Sequence, residues 1–389
     1  MNLFFPKKRI FLDYASTTPV LPEVLKAMES FWADRFANPS AIYKEGMSAK
    51  KALGEARNEI ARLLGVRKEE IVFTGSGTES CNLALLGVVN AYKGSRPPHI
   101  ITSTIEHPAV AETLRVVEKI GGKVTYLEPS EDGIISEEEI KEALTKDTIL
   151  VSIMYANNEI GTVEPIKEIG KVIREYRNQE TKEIYFHTDA SQAANYFSIS
   201  PTRLGVDLLT LDATKIYGPK GVGLLYVKDG VRIIPITYGG GQENGLRSGT
   251  ENISGIVGMA KAFSIVQRDV EKESNRLNAL RDYCIERIKK NFPKATLNGS
   301  LTKRLPNNVN FCFSGIDSEF AVLSLDAEGI AVSAASSCRT LAKNHSSYVI
   351  EAIGKHGCST SSLRFTLGRY TKKKDIDFLL RALVRRIPR

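Results

Sequence analysis

The chain is poor in cysteine and methionine, has one tryptophan, and contains no long apolar run. No uninterrupted hydrophobic stretch approaches the roughly 18–20 residues of a membrane span, so membrane association is not expected. Five cysteines, an odd number with no CxxC among them, exclude a fully paired disulfide framework. The opening Met1-Asn2-Leu3-Phe4-Phe5-Pro6-Lys7-Lys8 has neither the apolar stretch nor the small-residue cleavage site of a signal peptide. These absences together lead us to expect a reducing, cytoplasmic setting. Internal repeats and low-complexity linkers are missing too, which removes solenoids and disordered arrays. No metal site is expected.

What is present suits a globular protein: 389 residues, 42% apolar and 25% charged, enough for a large core and two domains. The 53 Lys and Arg against 45 Asp and Glu leave a net charge of +8. That excess is spread along the chain. Its densest clusters, Lys372-Lys373-Lys374 and Arg385-Arg386, are short, and no helix carries a basic stripe interleaved with aromatics. Direct nucleic-acid binding is not expected.

Short β-branched runs alternate with amphipathic stretches over the first two thirds. Strands are predicted at 71–73, 99–102, 124–127, 149–153, 184–187 and 208–211, with helical patterns at 45–64, 108–120 and 136–144. This rhythm predicts βαβ units and a mostly parallel sheet. A strand near 221–227, close behind a Gly-Pro turn, suits an antiparallel addition. A long polar helix over 254–291 leads to mixed short strands (309–313, 330–333, 363–367) and helices. We therefore expect a large α/β domain over 17–260 and a smaller α+β domain made of 1–16 and 261–389.

The segments able to carry chemistry follow the predicted strands. Phe73-Thr74-Gly75-Ser76-Gly77-Thr78-Glu79-Ser80 opens a helix, and its glycines and hydroxyls can hold an anion. It matches neither a Walker A loop nor GxGxxG, and by itself any capped strand–turn–helix looks the same. Glu106-His107-Pro108, Asn157-Asn158-Glu159-Ile160-Gly161 and His187-Thr188-Asp189-Ala190-Ser191-Gln192 also follow strands. Ligands bind at such carboxyl ends in open α/β sheets. Thr214-Lys215-Ile216-Tyr217-Gly218-Pro219-Lys220-Gly221 offers a lysine which, once desolvated, can form a Schiff base; without context it is a turn lysine. Tyr238-Gly239-Gly240-Gly241-Gln242-Glu243 and Arg247-Ser248-Gly249-Thr250 form a further anion-friendly stretch. In the second part, Cys338 lies among small polar residues beside Arg339, where a thiolate can be stabilised. Cys81, Cys284 and Cys312 read as core, and Cys358 competes with Cys338 as nucleophile. Arg364, on a strand, suits bidentate binding of a carboxylate.

In this order the segments resemble the cysteine desulfurases of the NifS and IscS type, pyridoxal-phosphate (PLP) enzymes of fold type I. The most specific pieces are Leu12-Asp13-Tyr14-Ala15-Ser16-Thr17-Thr18-Pro19, Asn157-Asn158-Glu159-Ile160-Gly161, Lys215-Ile216-Tyr217-Gly218-Pro219-Lys220-Gly221, Arg247-Ser248-Gly249-Thr250 and Ser361-Ser362-Leu363-Arg364-Phe365. The resemblance implies a seven-stranded-type sheet in the large domain and a homodimer. It also implies roles. Lys215 would hold PLP covalently and move the α-proton, Asp189 would pair with the pyridine nitrogen, and His107 would stack on the ring and assist proton transfer. Gln192 and Asn158 would contact the phenolic oxygen, Asn158 also reaching substrate. Gly77, Thr78 and Thr214 would hold the phosphate, with Thr250 reaching in from the second subunit. Arg364 would clamp the carboxylate of L-cysteine. Cys338 would take the sulfur as a persulfide, release L-alanine, and pass the sulfur to an acceptor protein for iron–sulfur cluster assembly or tRNA thiolation.

One departure stands out. Family members usually read Ser-x-His-Lys at the lysine, whereas this chain reads Asp212-Ala213-Thr214-Lys215. An ionised Asp212 beside a phosphate dianion is repulsive, so Asp212 is expected to turn away or to meet a cation. Rival readings are a selenocysteine lyase or another class V relative, a non-catalytic sulfur-transfer or scaffold partner, and an RNA-binding protein with a dead enzyme fold.

Overall fold

The computed structural model describes residues 9–180, 183–334 and 346–388. Seven strands form the main sheet, in the spatial order Ile71–Thr74, Gly223–Val227, Leu208–Asp212, Tyr185–Asp189, Thr148–Ser152, His99–Ser103 and Lys123–Leu127. All run parallel except Gly223–Val227, which is antiparallel to both neighbours. The expected mostly parallel sheet is thus present, with its one antiparallel strand where the Gly-Pro turn foretold it.

Alternating side chains sort the sheet's two faces. Val72, Ile100, Leu150, Leu208 and Leu225 pack against Leu85, Val88, Val110 and Leu114 of the helices Gly77–Ala91 and Pro108–Lys119. Ile71, Phe73, Ile101, Val151, Phe186 and Leu209 face the opposite layer, where Ile256, Met259 and Phe263 project from the helix Ile253–Asn291. Burying side chains of this size contributes roughly 1.5–3 kcal/mol each, which fixes the strand register.

The helix Ile253–Asn291 is 39 residues long. It packs on Pro22–Ala33 and Lys44–Leu64 at one end, and on Lys373–Arg386 and Asn308–Cys312 at the other. Beyond it lies a four-stranded antiparallel sheet in the order Ser333–Ala334, Ser362–Thr366, Asn308–Cys312, Thr296–Leu297. The N-terminal segment bridges the two sheets. Ile10–Phe11 pairs with Ile330–Ala331, Ala15 N–H donates to Thr366 Oγ1 at 2.9 Å, and Thr18 N–H donates to the Thr214 carbonyl at 2.9 Å.

The cysteines need one correction. Cys312, expected as a plain core thiol, and Cys358, expected as a rival nucleophile, are disulfide-bonded to each other across 46 residues, with their Cα atoms 5.3 Å apart. Cys312 ends one strand, and Cys358 sits on the turn that leads into the neighbouring strand, so the fold juxtaposes them. Cys81 and Cys284 are buried free thiols, as expected. Cys338 lies outside the described residues. Among the described residues no helix is long and apolar enough to cross a membrane.

Candidate active site

The carboxyl ends of the parallel strands open into a cavity of about 220 Å³. Gly77, Thr78, His107, Asn158, Asp189, Gln192, Lys215 and Arg364 line it, with Ala15, Ser16, Ser191 and Asp212 beside them. Eight of the residues singled out from sequence therefore meet in one place. Thr214 sits behind the wall, and Thr250 is exposed and does not line the cavity within the chain.

Lys215 closes a single helical turn, Ala213–Lys215, directly after Leu208–Asp212. Its Nζ donates to the carbonyls of Ala15 at 3.1 Å and Ser16 at 2.5 Å. Gln192 Nε2 donates to the same Ala15 carbonyl at 2.9 Å. The N-terminal segment thus holds the amine at the cavity mouth, a task to which sequence reasoning assigned no residue.

Asp189 ends the strand Tyr185–Asp189, and its Oδ1 accepts from Ser191 N–H at 2.9 Å. Beneath it lies a buried polar chain. Cys81 Sγ is 3.8 Å from Asp189 Oδ2 and 3.7 Å from Thr210 Oγ1. His187 Nε2 meets Thr210 Oγ1 at 3.0 Å, and its Nδ1 meets Ser152 Oγ at 2.9 Å. Burial pushes the His187 pKa down to about 4 and the Cys81 thiol well up. Both groups are therefore neutral.

His107 caps the helix Pro108–Lys119: its Nδ1 accepts from Ala109 N–H at 3.1 Å, which leaves the ring proton on Nε2. Burial, reinforced by the Lys215 charge, lowers its pKa against the opposing pull of Asp189. Its neighbour Glu106, to which the sequence pattern assigns no role, is 1% exposed. Glu106 Oε1 accepts from Ser103 Oγ at 2.7 Å and Met154 N–H at 2.9 Å, and burial raises its pKa to about 8.

Arg364 is 2% exposed. Its guanidinium donates to Asp13 Oδ1 at 2.8 Å and to the Asn158 carbonyl at 2.9 Å, while Nε has no hydrogen-bond partner. Arg364 lines the cavity, and a guanidinium placed there suits a carboxylate. The Asn157–Gly161 turn is rigid, because Asn157 Oδ1 accepts from Glu159 N–H at 2.8 Å and Ile160 N–H at 3.0 Å.

At the other end Ser76 caps the helix Gly77–Ala91 through Glu79 N–H at 3.1 Å. Glu79 Oε2 accepts from Gly75 N–H, and its Oε1 accepts from Arg247 Nε at 2.8 Å. Asp212 does not turn away as expected. Its Oδ2 accepts from Gly77 N–H at 3.0 Å, and its Oδ1 accepts from Thr214 N–H at 2.8 Å and Thr214 Oγ1 at 2.7 Å. The reason is local: an acid at the last strand position caps the following turn.

The donor set fits PLP at the ring: an amine, a carboxylate for a protonated nitrogen, an imidazole, two amides and a guanidinium. At the phosphate end the helix N-terminus fits an anion, and Asp212 shares it.

The class-V aminotransferase family profile matches residues 10–379. The cysteine desulfurase IscS of Dictyoglomus turgidum is 46% identical over 384 residues, covering 97% of this chain and 94% of that one. The cysteine desulfurase IscS of Methanosarcina thermophila is 43% identical over 380 residues, covering 97% and 92%. Among solved structures, a NifS-like protein superposes with a TM-score of 0.90 at 33% identity, covering 97% of this chain and 99% of its own.

Proposed function

The chain belongs to the class-V aminotransferase family, and from that premise we propose that it is a PLP-dependent cysteine desulfurase. What carries this reading is the cavity itself. Lys215, Asp189, His107, Asn158, Gln192 and Arg364 converge there, in a chain 46% identical to a cysteine desulfurase.

When bound, PLP supplies an electron-withdrawing ring that stabilises negative charge beside the substrate α-carbon. The protein does the rest. Asp189 keeps a proton on the ring nitrogen, and its neutral underlayer of Cys81, Thr210 and His187 preserves that charge. Neutral His107 packs on the ring and offers its Nε2 proton. Asn158 and Gln192 hold the phenolic oxygen. Arg364 takes the substrate carboxylate, which fixes the amino acid's orientation. Lys215, released from the Ala15 and Ser16 carbonyls, takes the α-proton. The Cys338 thiolate attacks the substrate sulfur; the S–S bond forms as the C–S bond breaks, the β-carbon takes up a proton, Lys215 returns the α-proton, and the product leaves as L-alanine.

Both flanks of residues 335–345 are anchored near the cavity, which supports Cys338 as the carrier. Ser333 pairs in register with Arg364, and Ser347 Oγ donates to Glu159 Oε2 at 2.6 Å. A homodimer is supported by apolar side chains left exposed on one chain, among them Trp32, Phe36, Ile42, Tyr43 and Tyr238. In that dimer Thr250 completes the partner's phosphate site. The cofactor-binding domain is taken as 17–260, with 1–16 and 261–389 as the second. The persulfide passes to an acceptor protein of cytoplasmic iron–sulfur assembly or tRNA thiolation.

The test is turnover. PLP-loaded protein given L-cysteine should release L-alanine, and Lys215→Ala should lose both this activity and the protein-bound visible absorbance band. Retention of the band and activity in Lys215→Ala would end this reading.

A further inference from the structure

The end of the strand Leu208–Asp212 puts an acid where the cofactor's phosphate has to sit. Asp212 takes the Gly77 N–H, the first amide of the 15-residue helix Gly77–Ala91, together with the Thr214 N–H and hydroxyl. These are the donors a phosphate would use. The fit is close: a Cβ on Gly77 would lie 3.0 Å from Asp212 Cβ and 3.1 Å from Oδ2. Strand end and helix start approach this tightly because residue 77 is glycine, and the space between them is filled by the carboxylate.

We propose that Asp212 is a resident anion that competes with the phosphate of PLP for the helix N-terminus, so that this chain draws little affinity from that phosphate. The inference rests on the reading of the cavity as a PLP site. Its physics is an exchange. A phosphate monoester carries about 1.5–2 negative charges at neutral pH, and two anions cannot share three donors without strong repulsion. For the phosphate to enter, the carboxylate must rotate off Gly77 and Thr214 and give up three hydrogen bonds. The phosphate then gains only what Asp212 has lost. A neutral side chain at 212 leaves the same donors free of a competing charge. The ring-end residues Asp189, His107 and Lys215 are themselves unchanged, and unphosphorylated pyridoxal, which meets them alike, reports any indirect effect of the lost charge, such as that on His107.

The experiment uses full-length protein stripped of cofactor, as wild type, Asp212→Asn and Asp212→Ser, each checked for an unchanged thermal transition. Dissociation constants are measured for PLP and for unphosphorylated pyridoxal by visible absorbance, and for inorganic phosphate by calorimetry. Asp212→Asn keeps the side chain's shape, and Asp212→Ser covers the case in which the amide disturbs folding. In the substituted proteins PLP and phosphate should tighten by roughly tenfold or more, while pyridoxal moves by less than about twofold. Unchanged or weaker PLP binding in both variants, or equal tightening of PLP and pyridoxal, would overturn the inference alone. A wild type that gives no protein-bound band with either PLP or pyridoxal would overturn the cofactor reading itself.

Discussion

Replacing Arg364 by lysine keeps the positive charge but removes the planar fork that a carboxylate needs. Two of the guanidinium's arms are already committed, one to Asp13 at 2.8 Å and one to the Asn158 carbonyl at 2.9 Å. Each of those terminal nitrogens carries a second N–H that is left for substrate, whereas Nε is buried. Lysine would spend its single nitrogen on Asp13. The substrate carboxylate would then lose two charge-assisted hydrogen bonds, each worth about 1.5–2 kcal/mol net. A loss of about 3–4 kcal/mol corresponds to a fall of a few hundredfold in kcat/KM for L-cysteine. Because the carboxylate is held alike in ground and transition states, most of that fall should appear in KM. The assay is L-alanine release under steady-state conditions, run in parallel with L-cysteine methyl ester and release of the alanine ester. The ester lacks the charged group, so its kcat/KM should differ by less than about threefold between wild type and Arg364→Lys. Equal losses for acid and ester would show that Arg364 supports the fold of the site rather than the substrate, and the reasoning would fail.

Glu106 gives a pH signature. Its folded pKa is about 8 against an ordinary 4.5, because of burial, so the folded chain keeps a proton that the unfolded chain releases. Stability contributed by this group is therefore present below pH 4.5 and is lost as pH rises toward 8, at about 1.4 kcal/mol per pH unit. Glu106→Gln removes the loss: its advantage over wild type in urea unfolding should grow by about 4 kcal/mol from pH 5 to pH 8, and a pH-independent difference would refute a protonated Glu106. His187, with a pKa lowered to about 4 by burial, has the opposite sign. His187→Gln should lessen the destabilisation of wild type as pH falls from 6.5 to 4, measured in the same way, whereas an unaltered acid limb would show His187 charged in the folded state. For the dimer, Lys215→Ala and Thr250→Ala are each expected to be weak or inactive alone, and mixed dimers should regain one complete site. Mixing and refolding equal amounts should restore about a quarter of the wild-type sites, and no recovery would place Thr250 outside the partner's site.

Much of this architecture is legible in the chain because burial demands it. The runs 71–73, 100–102 and 208–211 are apolar or β-branched because both sheet faces are covered, and each is followed by a polar cluster that had to sit at the same edge. That is why Gly77, His107, Asn158, Asp189 and Lys215 could be grouped before any coordinates. Contacts between distant segments were not visible. Nothing in the local pattern links Cys312 to Cys358, or Asp13 to Arg364 across 351 residues. Asp212 stands out as a departure, yet its local sequence does not show its direction: repulsion from a phosphate predicts that it turns away, whereas the hydrogen bonds offered by Gly77 and Thr214 decide the side chain's position. Cys81 read simply as core, and it is core, but its thiol also touches Asp189.

The most direct measurement is mass spectrometry of the PLP-loaded protein after brief exposure to L-cysteine, with peptide mapping under conditions that preserve persulfides. One added sulfur atom on Cys338, absent in Lys215→Ala, is the expected result. The same sulfur found on Cys81, Cys284 or Cys358 instead, or no adduct while L-alanine is formed, would contradict the assignment of Cys338 as the group that receives the substrate's sulfur.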